Sequence, residues 1–97
     1  MINAGDVYLA DLNDEKRHRV LVVSVARFNA ASRRVLVAPH VPGDPDEVPF
    51  PWRVEVDGAV YAIDLLRSMP PDRLLKRVVR APADAMVLVR RAVRNIT

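Results

Sequence analysis

Apolar residues alternate from the start of the chain. Between Gly5 and Leu12, Val7 and Leu9 point one way and Tyr8, Ala10 and Leu12 the other, so a first strand with two apolar faces is predicted. Asn13 to His18 is wholly polar and reads as a connection. Arg19-Val20-Leu21-Val22-Val23-Ser24-Val25 is a β-branched run fit for a strand covered on both faces. Residues 28 to 34 hold turn formers with a small helical potential, and Val35 to Ala38 predicts a third strand. Residues 39 to 51 carry five of the eight prolines, with Gly43, Asp44 and Asp46, and read as a long surface loop because proline cannot donate to a ladder.

The sharpest local pattern follows. Trp52 to Val56 and Ala59 to Ile63 flank Asp57-Gly58, a pair that tolerates positive φ, and this predicts a tight type I′ hairpin. Arg73 to Arg80, after Pro70-Pro71-Asp72, reads as a further strand. From Pro82 the period becomes helical: Ala85, Val89, Ala92, Val93 and Ile96 share one face, with Val87, Arg90, Arg91 and Arg94 opposite. Pro82 suits the first helical position, and Asp84 in the first turn with arginines later complements the helix dipole. The fold expected is mainly β: one domain, residues 1–97, built as a curled antiparallel sheet closed by a C-terminal helix.

Composition sharpens this picture in three respects. A chain of 97 residues supports one core and is marginally stable by itself, so dimerisation is the default expectation. The absence of Cys removes disulfides, thiolate metal sites and cysteine nucleophiles, and fits a reducing cytoplasm. The opening residues lack a signal-peptide pattern and no segment approaches a membrane span, so a cytoplasmic protein is expected. The net charge of +3 is uneven, since residues 73 to 97 carry +6 and the rest −3, unlike a uniformly basic nucleic-acid coat. Thirteen of the fifteen basic residues are Arg, suited to bidentate phosphate contacts.

No phosphate-cradling glycine loop, serine elbow or paired histidines with metal spacing is present, and no metal or cofactor is expected. Chemistry falls to Arg, His, Asp and Glu. Lys16-Arg17-His18-Arg19 precedes the buried strand, and His40 follows the third. If those strands are neighbours, three cations and an imidazole converge and can bind a phosphate and stabilise the added charge of a phosphoryl transition state. The competing reading makes Lys16 to Arg19 a solvated charged turn and His40 a packed or surface loop residue. Trp52 either stacks an RNA base or packs in the core or a dimer interface.

Gly5-Asp6-Val7-Tyr8-Leu9-Ala10-Asp11-Leu12, then His18-Arg19 leading Val20 to Ser24, resembles the opening of MazF/PemK-like toxins. Asp64-Leu65-Leu66-Arg67-Ser68-Met69, then Asp72-Arg73-Leu74, is similar to their Asp-Gln-hydrophobic-Arg-Ser-Ile segment, and the closing helix matches too. The resemblance spans nearly the whole chain. It implies a small SH3-like barrel, a homodimer, and neutralisation by an antitoxin with a flexible acidic C-terminal segment. It implies metal-independent cleavage of single-stranded RNA by ribose 2′-hydroxyl attack, with Arg19 in the catalytic arginine's place and Asp14, Glu15, Lys16 and Arg17 in the loop that meets RNA. Lys16, Arg17 and His18 would then position the backbone and His40 act as acid or base. Three residues depart from the pattern: Val20 replaces Pro, Leu65 replaces Gln, and Val41 stands where many relatives have a Ser or Thr hydroxyl. Two alternatives follow. One is a CcdB-like gyrase poison, suggested by Arg33 to Val37 and the Val54–Tyr61 hairpin, although the ending Arg94-Asn95-Ile96-Thr97 lacks that group's Trp-Gly-Ile. The other is a module that has lost catalysis but still dimerises and binds antitoxin.

Overall fold

The computed structural model describes residues 1–48 and 51–96. Among these residues seven strands and two α-helices follow in the order β1 (Asp6–Asp11), β2 (Arg17–Val22), α1 (Ala26–Ser32), β3 (Val35–Val41), β4 (Arg53–Val56), β5 (Ala59–Ala62), β6 (Arg67–Met69), β7 (Leu74–Arg80) and α2 (Ala83–Ile96). The sheet is antiparallel throughout, ordered β4-β5-β3-β2-β1-β7, with β6 also paired to β3. No helix among the described residues is long and apolar enough to cross a membrane.

The two apolar faces expected of the first strand each have a use. One face, with Ala10, Val20, Val22, Val35, Val37 and Met69, packs inside the curl of the sheet, where Tyr8, Leu12 and Leu74 join it. The other, with Val7, Leu21, Ala38 and Tyr61, meets Ala85, Met86, Val89 and Ala92 of α2. The curled sheet and closing helix are thus as the hydrophobic pattern predicts. The helix stripe differs in detail: Met86 is buried and Ile96 is exposed, and Pro82 stands one residue before α2, its carbonyl accepting from Met86 N–H at 3.2 Å.

Three segments depart from the expected boundaries. Helical potential near residue 28 becomes α1, locked by buried polar groups: the Ser24 hydroxyl donates to Asn29 Oδ1 and accepts from Leu36 N–H at 2.9 Å. Asn29 Nδ2 donates to the Ile2 carbonyl at 3.1 Å. The short strand β6 carries no alternation long enough to announce it. Most consequentially, β3 runs on through Pro39 and His40 to Val41, so the expected loop is shorter at its start; Pro49 and Phe50 of that loop lie outside the described residues. Val23 N–H donates to the Leu36 carbonyl at 2.8 Å, so even-numbered residues of β3 turn their backbone groups toward β2. Odd-numbered ones, Pro39 included, face the opposite edge, where the pairing with β6 ends at Val37 and that with β5 begins at His40. The missing N–H therefore falls at a handover between partners, where it breaks no ladder bond.

The predicted hairpin forms as read, with Asp57 at φ 53° and Gly58 at φ 79° between β4 and β5. At the other end of the sheet, Gly5 (φ 96°) lies so close to α2 that an added Cβ would meet Met86 Sδ at 3.2 Å. The next residue, Asp6, is fully buried. Its carboxylate accepts from Asn3 N–H at 3.0 Å and Arg80 Nε at 3.2 Å, with an Arg77 nitrogen at 4.0 Å, fastening the N-terminus to β7. Asp6→Ala is expected to cost about 2–3 kcal/mol, near the low end for a broken buried pair because both arginines are exposed enough to regain water. Urea denaturation would show it as a lower midpoint at unchanged slope.

Candidate RNA-cleavage site

Strand register builds the site as a row across the sheet. His40 on β3 pairs with Tyr61 on β5, and Arg19 on β2 pairs with Leu9 on β1, which pairs with Lys76 on β7. The β2–β3 register, Val20 with Pro39, continued by one residue sets Arg19 opposite His40. Directly opposed residues share a face and lie about 4.5–5.5 Å apart at Cα. Tyr61, His40, Arg19, Leu9 and Lys76 therefore follow one another on one face, the face that α2 covers farther along at Leu21 and Ala38.

Each member of the row has a distinct environment. His40 is exposed, and its ring lies 5.9 Å from that of Tyr61 at 54°. Arg19 is half-buried. Tyr61 is fully buried, and among the described residues its hydroxyl has no partner at hydrogen-bonding geometry. Burial pushes the Tyr61 phenol up from its ordinary 10.0, and the neighbouring Arg19 guanidinium pulls it back. A phenol oxygen can accept from a guanidinium N–H. Sequence reading missed Tyr61 because the Ala59 to Ile63 run marked it only as part of the hairpin's second strand. Lys76 was hidden likewise, since nothing local reveals that β7 lies beside β1.

The structure separates some of the remaining candidates from the row. Arg17 pairs with Asp11 and, two residues from Arg19, shares its face. Lys16 is exposed in the loop, its N–H donating to Asp14 Oδ1 at 3.0 Å. His18 pairs with Ala10 and so belongs to the other face; its Nε2 lies 2.7 Å from Asp14 Oδ2. That bond holds the Asp14 carboxyl below its ordinary 3.8, so the contact is fully present above that value and is lost as pH falls through the lowered one. Trp52 is exposed at the outer edge strand, where its carbonyl accepts from Ile63 N–H at 2.8 Å, and its indole contacts no other ring among the described residues. Val41, in the place of the hydroxyl the resemblance implies, pairs with Val60 and is half-buried.

A family model described as PemK-like, MazF-like toxin of type II toxin-antitoxin system matches residues 3–97. The chain belongs to this toxin family. No curated protein matches it by sequence. Among solved structures, a mycobacterial endoribonuclease in complex with its cognate antitoxin is similar with TM-score 0.83 and 17% identity, over 98% of this chain and 93% of that one. A MazE–MazF structure from Deinococcus radiodurans is similar with TM-score 0.79 and 22% identity, over 98% and 93%. The Mycobacterium tuberculosis toxin MazF-mt6 follows at TM-score 0.67 and 22% identity, over 93% of each chain. These structures share the MazF-like fold at low sequence identity.

Proposed function

We propose that this MazF-like toxin is an endoribonuclease that cuts single-stranded RNA without a metal ion, using the ribose 2′-hydroxyl as nucleophile. The observation that carries the reading is the convergence of Arg19, exposed His40 and buried Tyr61 on one sheet face. The 2′-oxygen attacks phosphorus and the P–O5′ bond breaks, leaving a 2′,3′-cyclic phosphate and a 5′-hydroxyl. Arg19 clamps the phosphate and offsets the charge gained in the transition state. Two protons move: His40 takes the one on the 2′-hydroxyl or gives one to the leaving O5′, and water carries the other transfer. His40 does so one residue before Val41, which has no proton to offer. Arg17 and Lys16 hold the backbone from the β1–β2 loop, with His18 shaping that loop through Asp14 and Trp52 offering a base platform at the rim.

The protein acts as a cytoplasmic homodimer, and an antitoxin with a flexible acidic C-terminal segment silences it; a structural relative is solved in complex with its cognate antitoxin. RNA carrying a 2′-O-methyl group at the cut site tests the chemistry. Cleavage must cease there while neighbouring unmodified sites are still cut; continued cleavage removes the 2′-hydroxyl mechanism. Intact RNA together with inhibited gyrase supercoiling would instead favour the CcdB-like reading.

Tyr61→Phe separates function from packing. Loss of an unsatisfied buried hydroxyl leaves stability within about 1 kcal/mol or raises it. If the hydroxyl orients Arg19, cleavage falls several-fold while the melting temperature is kept.

A further inference from the structure

A second cationic cluster lies away from the Arg19 row. Arg34 between α1 and β3, Arg67 at the start of β6 and Arg73 at the foot of β7 line one cavity of about 300 Å³ with Asn13 and Ser68. Met69 and Pro70 complete the lining. Arg67 and Arg73 are near neighbours in sequence, and the β3–β6 pairing brings the distant Arg34 to them. Among the described residues none of the three pairs with a carboxylate. Arg34 Nε donates to Ser68 Oγ at 2.9 Å, which fixes one wall. Asn13, in the left-handed region at φ 69° with its N–H on Asp11 Oδ1 at 2.9 Å, fixes another. Arg73 N–H donates to the Pro70 carbonyl at 3.2 Å and anchors the third.

We propose that this cavity binds a phosphate of the RNA backbone other than the one being cut, an inference that rests on the RNA-cleavage reading. Three arginines lining one cavity, with no carboxylate partner among the described residues, repel one another and carry donors suited to phosphate oxygens. The lining offers little apolar surface, whereas a bound peptide gains its affinity partly by burying side chains. Asn13 also opens the loop whose far end leads through Lys16 and Arg17 to Arg19, so one strand of RNA crossing that loop meets both sites.

The test uses a 2′-O-methyl single-stranded RNA, which binds but is not cut, titrated by fluorescence anisotropy from 50 to 200 mM salt. Each neutralised phosphate contributes about 0.7 to the log–log salt slope on a single strand. Arg67→Gln/Arg73→Gln is expected to flatten the slope by about that amount and weaken binding roughly tenfold at low salt. Inorganic phosphate added to the unmodified protein is expected to shift the amide signals of Asn13 and Ser68, a readout that does not depend on the variant folding. Parent protein that binds RNA, with an unchanged slope in the double variant and no phosphate shifts, overturns the subsite and leaves the ribonuclease reading standing. Parent protein that neither binds nor cuts RNA overturns the ribonuclease reading and the RNA assignment with it. A double variant that loses an acidic antitoxin peptide but keeps the parental salt slope assigns the cavity to the peptide and overturns the proposal.

Discussion

Arg19→Ala is expected to lower RNA cleavage by on the order of 10²–10³-fold, about 3–4 kcal/mol of transition-state stabilisation, the range seen when one preorganised donor is removed from a developing oxyanion. The pentacoordinate phosphorus carries more negative charge than the phosphodiester, so the loss falls mainly on kcat. Arg19 is suited to this because the sheet holds it from both sides, between Leu9 on β1 and His40 on β3, with Tyr61 behind. Arg19→Lys keeps the charge but loses the planar fork, and is expected to recover only part of the rate. Single-turnover kinetics on a defined RNA check both. Parental rates in Arg19→Ala, with the fold intact by circular dichroism, remove Arg19 from the mechanism.

His40→Ala is expected to slow cleavage by about 10²-fold, the lower end of general acid–base effects. RNA affinity should change much less, because His40 is one exposed ring among several cationic contacts. Single-turnover rates and equilibrium binding measured side by side separate proton transfer from binding: His40→Ala lowers the rate and leaves the affinity close to parental. Because the hydroxyl implied at position 41 is absent, Val41→Thr is the counterpart test. A large gain of rate in that variant would show that His40 does not compensate for the missing hydroxyl.

How much of this was legible before the structure depends on whether a feature is local. The Asp57-Gly58 hairpin was readable because its turn type is written in two residues, and α2 because its stripe repeats over four turns. Strand β3 was cut short because Pro39 and Pro42 signal a break, and only the handover from β6 to β5 makes Pro39 harmless. Arg19 and His40 were visible as chemistry-bearing residues at strand ends, but the row was not, since it depends on register across five strands. Tyr61 illustrates the gap: its phenol matters through Arg19, 42 positions away in sequence. His18 and Trp52 illustrate the converse. Their residue types invited a role beside Arg19, yet strand parity turns His18 to the other face and Trp52 stands just before the outer edge strand.

The most direct test is incubation of the purified protein, in EDTA, with a long single-stranded RNA, mapping cut positions and end chemistry for the parent and Arg19→Ala in parallel. Discrete cuts bearing 2′,3′-cyclic phosphate and 5′-hydroxyl ends, abolished in the variant, are the predicted result. Intact RNA with the parent protein, or equal cutting by both, would contradict it.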